Sequence, residues 1–218
     1  MQSVKNAQVS PGVLTEEMEL KLNELTNKLI LPGIIPAWHL RALEGSLEEL
    51  EELWSFVKEV KLNTGELLLS QTRNGFTAFQ LAALNNHAEK LLKMWIWAEE
   101  TQLNPKELKK NLFLAKNNAG YIAFHLASLE GSLEALEILW SWTKEVELNT
   151  DELLLAQTGD GYTAFHLAAL NNHAETLLKM WVWAEETQLN PKELKKKLFL
   201  AKDNEEKTLG TEQHNLEV

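Results

Sequence analysis

The residues of this 218-residue chain whose types could do chemistry are 6 histidines, 32 aspartates and glutamates and 8 tryptophans; cysteine is absent. Without cysteine there is no disulfide, no thiolate metal site and no thiol nucleophile. Histidines could hold zinc, but neither H-x-x-H nor H-x-x-x-H occurs to put two of them one helical turn apart. Equivalent histidines on neighbouring helices would stand about 10 Å apart, too far for one ion. A hydrolase built on paired carboxylates needs two acids about 5–10 Å apart in a cleft. The glutamates here recur at helical spacing and read as solvated faces. G-x-S-x-G, the P-loop, Rossmann glycines and H-E-x-x-H are missing. The expectation is a protein that is not an enzyme and uses no metal and no cofactor. Six tryptophans form W-x-W pairs: Trp95/Trp97, Trp140/Trp142 and Trp181/Trp183. Residues two apart on a helix point about 200° apart. One ring of each pair is expected between helices in the core, and the other on the outer side, where a further helix can cover it.

The elements that position these residues repeat. Gly75–Glu100 (GFTAFQLAALNNHAEKLLKMWIWAEE) recurs almost word for word at Gly161–Glu186, with looser copies from Gly120 and from Ile34. The larger unit Gly45–Ala115 aligns without gaps to Gly131–Ala201 at an offset of 86, with 14 differences in 71 positions. Four units follow: 34–74, 75–119, 120–160 and 161–203.

The core TAFHLAAL resembles the T-P-L-H-x-A-A signature of the ankyrin repeat. That resemblance covers residues 34–203 and implies an all-α, ankyrin-type helical solenoid with β-turn fingers. By motif position, Thr77 and Thr163 would cap the first helix of their units. His39, His125 and His166 would bond to the adjoining finger, with Gln80 standing in the second unit. Ile122 and Pro36 replace the threonine elsewhere, and His87 and His173 take a structural place between helices. Gly75, Gly120 and Gly161 fit a finger turn that needs positive φ, whereas Ile34 leaves the first finger incomplete.

These units exceed the usual 33 residues. The excess lies in LNTGELLLSQT, LNPKELKKNLFLAKN, LNTDELLLAQT and LNPKELKKKLFLAKD. Thr64, Pro105, Thr150 and Pro191 are good helix starts, so each unit is expected to carry an extra short helix behind its second. Residues 1–12 read as a flexible arm and 13–33 as an N-terminal capping helix. That helix begins at Thr15, is apolar along Leu20, Leu22, Leu25, Leu29 and Ile30, and should end at Pro32 and Gly33. Residues 204–218 read as a flexible tail.

The net charge of −11 argues against nucleic acid or an anionic membrane as partner. No apolar run is long enough for a signal peptide or a membrane span, which makes the cytoplasm the expected address and the nucleus the second. The resemblance implies a noncatalytic protein–protein interaction module, expected as a monomer. The finger and concave surface would meet the partner through Arg73, Asn74, Phe76, Leu84 and Asn85, through Asn118, Ala119, Tyr121, Leu129 and Glu130, and through Gly159, Asp160, Tyr162, Leu170 and Asn171. Four of the seven positions 70–76 differ from their counterparts 86 residues on, so the fingers diverged most. Two alternatives stay open: an acidic inhibitor masking a basic segment of a signalling or transcription factor, and a fragment of a longer structural array.

Overall fold

The computed structural model describes residues 16–186, together with Lys192, Lys196 and Leu198. The arm 1–12, Thr15, Pro191 and the tail 204–218 lie outside the described residues. The chain is an all-α helical repeat. Its first helices are α1 (Glu16–Leu43), α4 (Ala78–Leu84), α7 (Ala123–Leu129) and α10 (Ala164–Leu170). The second helices are α2 (Leu47–Glu59), α5 (Ala88–Glu100), α8 (Leu133–Trp142) and α11 (Ala174–Glu186). The extra helices are α3 (Thr64–Leu69), α6 (Pro105–Leu114) and α9 (Thr150–Leu155). First helices pack in one row, α1 on α4 on α7 on α10; α2, α5 and α8 form a second row, and α3 meets α6 in a third.

Local chemistry starts each element. Asn63, Asn104 and Asn149 cap α3, α6 and α9, their side-chain oxygens accepting from N–H groups two or three residues on. Thr64, Pro105 and Thr150 thus stand one residue inside each cap. Ser46 and Glu49 close a reciprocal capping box on α2. Asn86 and Asn172, at φ 54° and 60°, turn the chain between first and second helices.

Pro32 and Gly33 do not end the first helix: α1 runs through them and through Pro36 to Leu43. A proline inside a helix costs about 3 kcal/mol through its missing donor. Leu31, Ile34, Trp38 and Ala42, spaced three or four apart, are all buried along this stretch. Each buried large side chain returns about 1.5–3 kcal/mol, so the burial of Leu31, Ile34 and Trp38 is of the size needed to offset the two prolines. The expected helix end at Pro32 and Gly33 is therefore absent, and the first unit has a continuous helix where the others have a turn. The amino-terminal half of α1 lies beside α3, where Asn27 Oδ1 accepts the Asn63 N–H at 2.6 Å. Its Leu20, Leu25, Leu29 and Ile30 face solvent.

The other units begin with a hairpin turn at 72–76, 117–121 or 158–162, each closed by an N–H to C=O bond of 2.8–3.0 Å across its ends. At Gly120 φ is +80°, and a Cβ there would lie 2.5 Å from the Gly159 nitrogen. Gly120→Ala is thus expected to lose about 2 kcal/mol or more through strain and displaced backbone. A urea titration with an unchanged midpoint would contradict this.

Candidate protein-binding surface

Three successive turns are bonded side by side. Asn118 N donates to Asn74 O at 3.1 Å, and Gly159 N donates to Ala119 O at 2.8 Å. Asn118 Nδ2 adds a bond to Arg73 O. Each turn is also tied to the first helix before it. His39 Nε2 meets Ser70 O at 3.0 Å, Gln80 Nε2 donates to Ala115 O at 2.7 Å, and His125 Nε2 meets Ala156 O at 2.9 Å.

Within their own units these side chains also hold the helix start. Thr77 Oγ1 accepts the Gln80 N–H while Gln80 Oε1 accepts the Thr77 N–H. Thr163 and His166 repeat that exchange. Ile122 has no hydroxyl to cap α7, but its N–H still reaches His125 Nδ1 at 3.3 Å. At His39 the corresponding residue is Pro36, which has no N–H, and Nδ1 instead lies 2.7 Å from Ile35 O. The imidazole of His125 is 1% exposed. Burial, reinforced by the charge of Lys116 and opposed by the Ala156 bond, lowers its pKa to about 4. His87 and His173 Nε2 lie 2.9 Å from Leu43 O and Leu129 O, joining one unit to the unit before.

The residues expected to meet a partner divide into two kinds. Arg73, Asn74, Asn85, Asn118, Ala119, Glu130, Gly159, Asp160, Leu170 and Asn171 are exposed. Phe76, Leu84, Tyr121, Leu129 and Tyr162 are half-buried. Phe76 packs on the core, and Tyr121 and Tyr162 meet His125 and His166 edge-on at 6.1 and 6.2 Å. Burial, with the charge of Asp160 behind it, raises the Tyr121 pKa. Asn85 and Asn171 turn their amides back onto Leu81 O and Leu167 O. The turn tips are thus polar, and the aromatic rings lean back onto the helices.

The tryptophans depart from expectation. Both rings of Trp95/Trp97 are buried, and what stacks on each is a tryptophan of a neighbouring unit. Trp54 stacks on Trp97 (4.7 Å, 12°), Trp95 on Trp142 (4.1 Å, 3°) and Trp140 on Trp183 (4.6 Å, 9°). Trp95 and Trp140 face the following unit, and Trp97, Trp142 and Trp183 face the preceding one. The 200° divergence lets one helix grip both neighbours.

Sequence reading missed the polar ties around these stacks. Lys109 is buried over the Trp95 ring and pairs with Glu99 and Glu145, while Trp95 Nε1 donates to Glu145 at 2.9 Å. Burial works against the Lys109 charge, but the two carboxylates prevail and its pKa is raised. Lys90 is buried with Nζ on Arg41 O and Ala42 O; burial lowers its pKa against the pull of Glu49. The legible signal was a lysine between Leu108 and Leu112, the two leucines of α6 that face the core. Among the described residues, no three His, Asp or Glu side chains converge as a metal site.

No protein-family model and no curated protein sequence matches the chain. Among solved structures, it is similar to a chain in the crystal structure of the yeast ribosomal protein Rps3 in complex with its chaperone Yar1. The match covers 73% of this chain and 96% of that one, at TM-score 0.57 and 22% identity. At that identity the likeness is one of fold: an all-α helical repeat shared by two divergent sequences.

Proposed function

We propose that the chain is a noncatalytic repeat protein of the ankyrin type, binding a partner protein through its turn row and the adjoining edges of α4, α7 and α10. The observation that carries this reading is the lateral bonding of three turns into one strip, Asn118 to Asn74 and Gly159 to Ala119. The strip holds Arg73, Asn74, Ala119 and Asp160 exposed in fixed order. Preorganised polar groups beside half-buried aromatics suit a protein ligand, because little ordering entropy remains to be lost on binding. The divergence of positions 70–76 between the two halves fits surfaces that differ in what they touch, on a scaffold that is otherwise repeated.

The test is affinity capture from lysate of the source cell with three chains: native, Phe76→Ala/Tyr121→Ala/Tyr162→Ala, and Arg73→Ala/Asp160→Ala. The second variant changes only exposed side chains, so its melting curve should match the native one. A partner whose recovery falls at least tenfold with both variants supports the turn row. Equal recovery from all three chains sinks it. A second reading, an inhibitor that masks a basic segment, draws on the net charge of −11. It requires affinity for a Lys/Arg-rich partner that drops steeply as salt is raised.

A further inference from the structure

The turn row has an open side at its second unit, and the way the row is built says what fits there. Each turn donates backward to the one before it. Asn118 N donates to Asn74 O at 3.1 Å, and Gly159 N donates to Ala119 O at 2.8 Å. Asn118 adds its side chain, with Nδ2 donating to Arg73 O at 3.1 Å. Arg73, Asn118 and Gly159 hold the same place in their turns, as do Asn74, Ala119 and Asp160.

The turn at 72–76 has no turn before it to donate to, because α1 runs unbroken from Glu16 to Leu43 through the positions of a first-unit turn. Among the described residues none accepts the Arg73 N–H, and no carboxylate pairs with the Arg73 guanidinium. The Thr72 and Gly75 N–H groups are spent inside the turn, on Phe76 O and Thr72 O. On its far side the turn is closed by the next unit: Gly75 is buried, and a Cβ on it would lie 2.7 Å from Asn118 N. On its near side it presents a backbone donor and a cation together, on an exposed residue.

We propose that this open edge takes a turn of a partner protein, and that the partner turn carries an acidic residue. Its carbonyl accepts the Arg73 N–H, as Asn74 O accepts the Asn118 N–H. Its carboxylate, one residue earlier, accepts from the Arg73 guanidinium, on the side where Asn118 Nδ2 reaches residue 73. When a segment adds to an unpaired backbone edge, main-chain bonds give affinity and side chains give specificity. Here the side-chain bond is charge-assisted, about twice as strong as a neutral one. The inference rests on the turn row as the binding surface, and adds the end that is met and the chemistry of the partner.

Two other occupants fit less well. The same turn of a second copy would set Arg73 against Arg73, a like-charge pair. The chain's own residues 1–15 contain neither aspartate nor glutamate, so they offer the guanidinium no carboxylate. The net charge of −11 opposes an acidic partner from afar, but 0.1 M salt screens exposed charges beyond about 10 Å.

The probe is a cyclic peptide of residues 71–77 carrying Arg73→Asp, whose ring holds the turn. It is titrated into the isotopically labelled full chain and followed by two-dimensional amide NMR. A saturable downfield shift of the Arg73 amide is expected, with the amides of 158–162 unmoved. Affinity should fall about tenfold or more with Arg73→Ala in the chain, and as much when the peptide keeps its arginine. Arg73 is exposed, so the variant chain should melt with the native one. No saturable shift overturns the proposal, as does equal affinity for native chain and Arg73→Ala. Shifts centred on 158–162 overturn it by moving the site. Self-association of the native chain that Arg73→Ala and Asp160→Asn both abolish overturns it by making the occupant a second copy. Binding that appears only once residues 1–12 are removed overturns it by giving the edge to the chain's own arm. A peptide that binds while lysate capture ignores the Phe76→Ala/Tyr121→Ala/Tyr162→Ala variant fails the wider reading of the row alone. Capture that needs those rings, with no peptide binding, fails this inference alone.

Discussion

Trp95→Ala is expected to cost about 3–5 kcal/mol of stability and to split one unfolding transition into two. The ring is 5% exposed and lies flat on Trp142, with Phe79 at 6.0 Å. Its removal leaves a cavity between the second and third units. It also deprives Glu145 of the indole N–H it accepts, while Lys109 loses the ring beneath it. In a repeat array, stability is a sum of unit terms and neighbour interfaces. Weakening the central interface lets the two halves unfold separately, and two-state behaviour fails. Trp181 is the internal control: it has the same type and sequence neighbourhood but is 37% exposed. Trp181→Ala should cost about 1 kcal/mol and leave a single transition. Urea unfolding followed by both circular dichroism and fluorescence decides the matter. Coincident single transitions in the Trp95 variant, with a loss no larger than in the Trp181 variant, would refute the account of the stacks.

His125→Gln should remove an acid sensitivity that the native chain carries. The folded imidazole titrates near 4 against an ordinary value of 6.5, chiefly because it is buried. Between those values the unfolded chain binds the proton that the folded chain refuses, so stability falls as pH falls. The loss begins near pH 6.5 and reaches about 3 kcal/mol once pH is below 4. Glutamine does not titrate, and this fold already uses it in the equivalent place. Gln80 Oε1 accepts the Thr77 N–H and Nε2 donates to Ala115 O, the carbonyl that corresponds to Ala156 O. The variant should match the native chain within about 1 kcal/mol at pH 7.5 and exceed it increasingly toward pH 4.5. Other groups also titrate over that range, so the quantity to follow is the difference between the two unfolding free energies. A difference that stays constant from pH 7.5 to 4.5 would mean that His125 is not the group responsible.

Much of the scaffold was legible in the sequence because it rests on short-range chemistry. Ala78–Leu84 and Ala164–Leu170, each behind a capping threonine, both form a helix start, and the glycine two residues before that threonine allows the turn that precedes it. The extra helices were legible from their proline, glutamate and leucine spacing, although the asparagine one residue earlier is the cap that bonds. The candidate surface was legible only in part. Arg73, Asn74 and Asp160 stand exposed on the turns, but the depth of Phe76, Tyr121 and Tyr162 depends on the helices beneath them.

By itself, then, the sequence determined the period of the repeat, the placing of its helices and turns, and the side-chain bonds that join a turn to the helix before it. Each of those depends on residues near in the chain or equivalent between repeats. Only the tertiary structure decided that α1 continues through Pro32 and Pro36, because the offsetting gain is burial of Trp38 among residues of other helices. It alone decided that Lys109 is buried, because the carboxylate of Glu145 lies 36 residues away. And it decided that the two ends of the described array differ. Trp95 and Trp181 have near-identical sequence neighbours, and their burial separates them because what covers a helix face is the next unit, which no local pattern encodes.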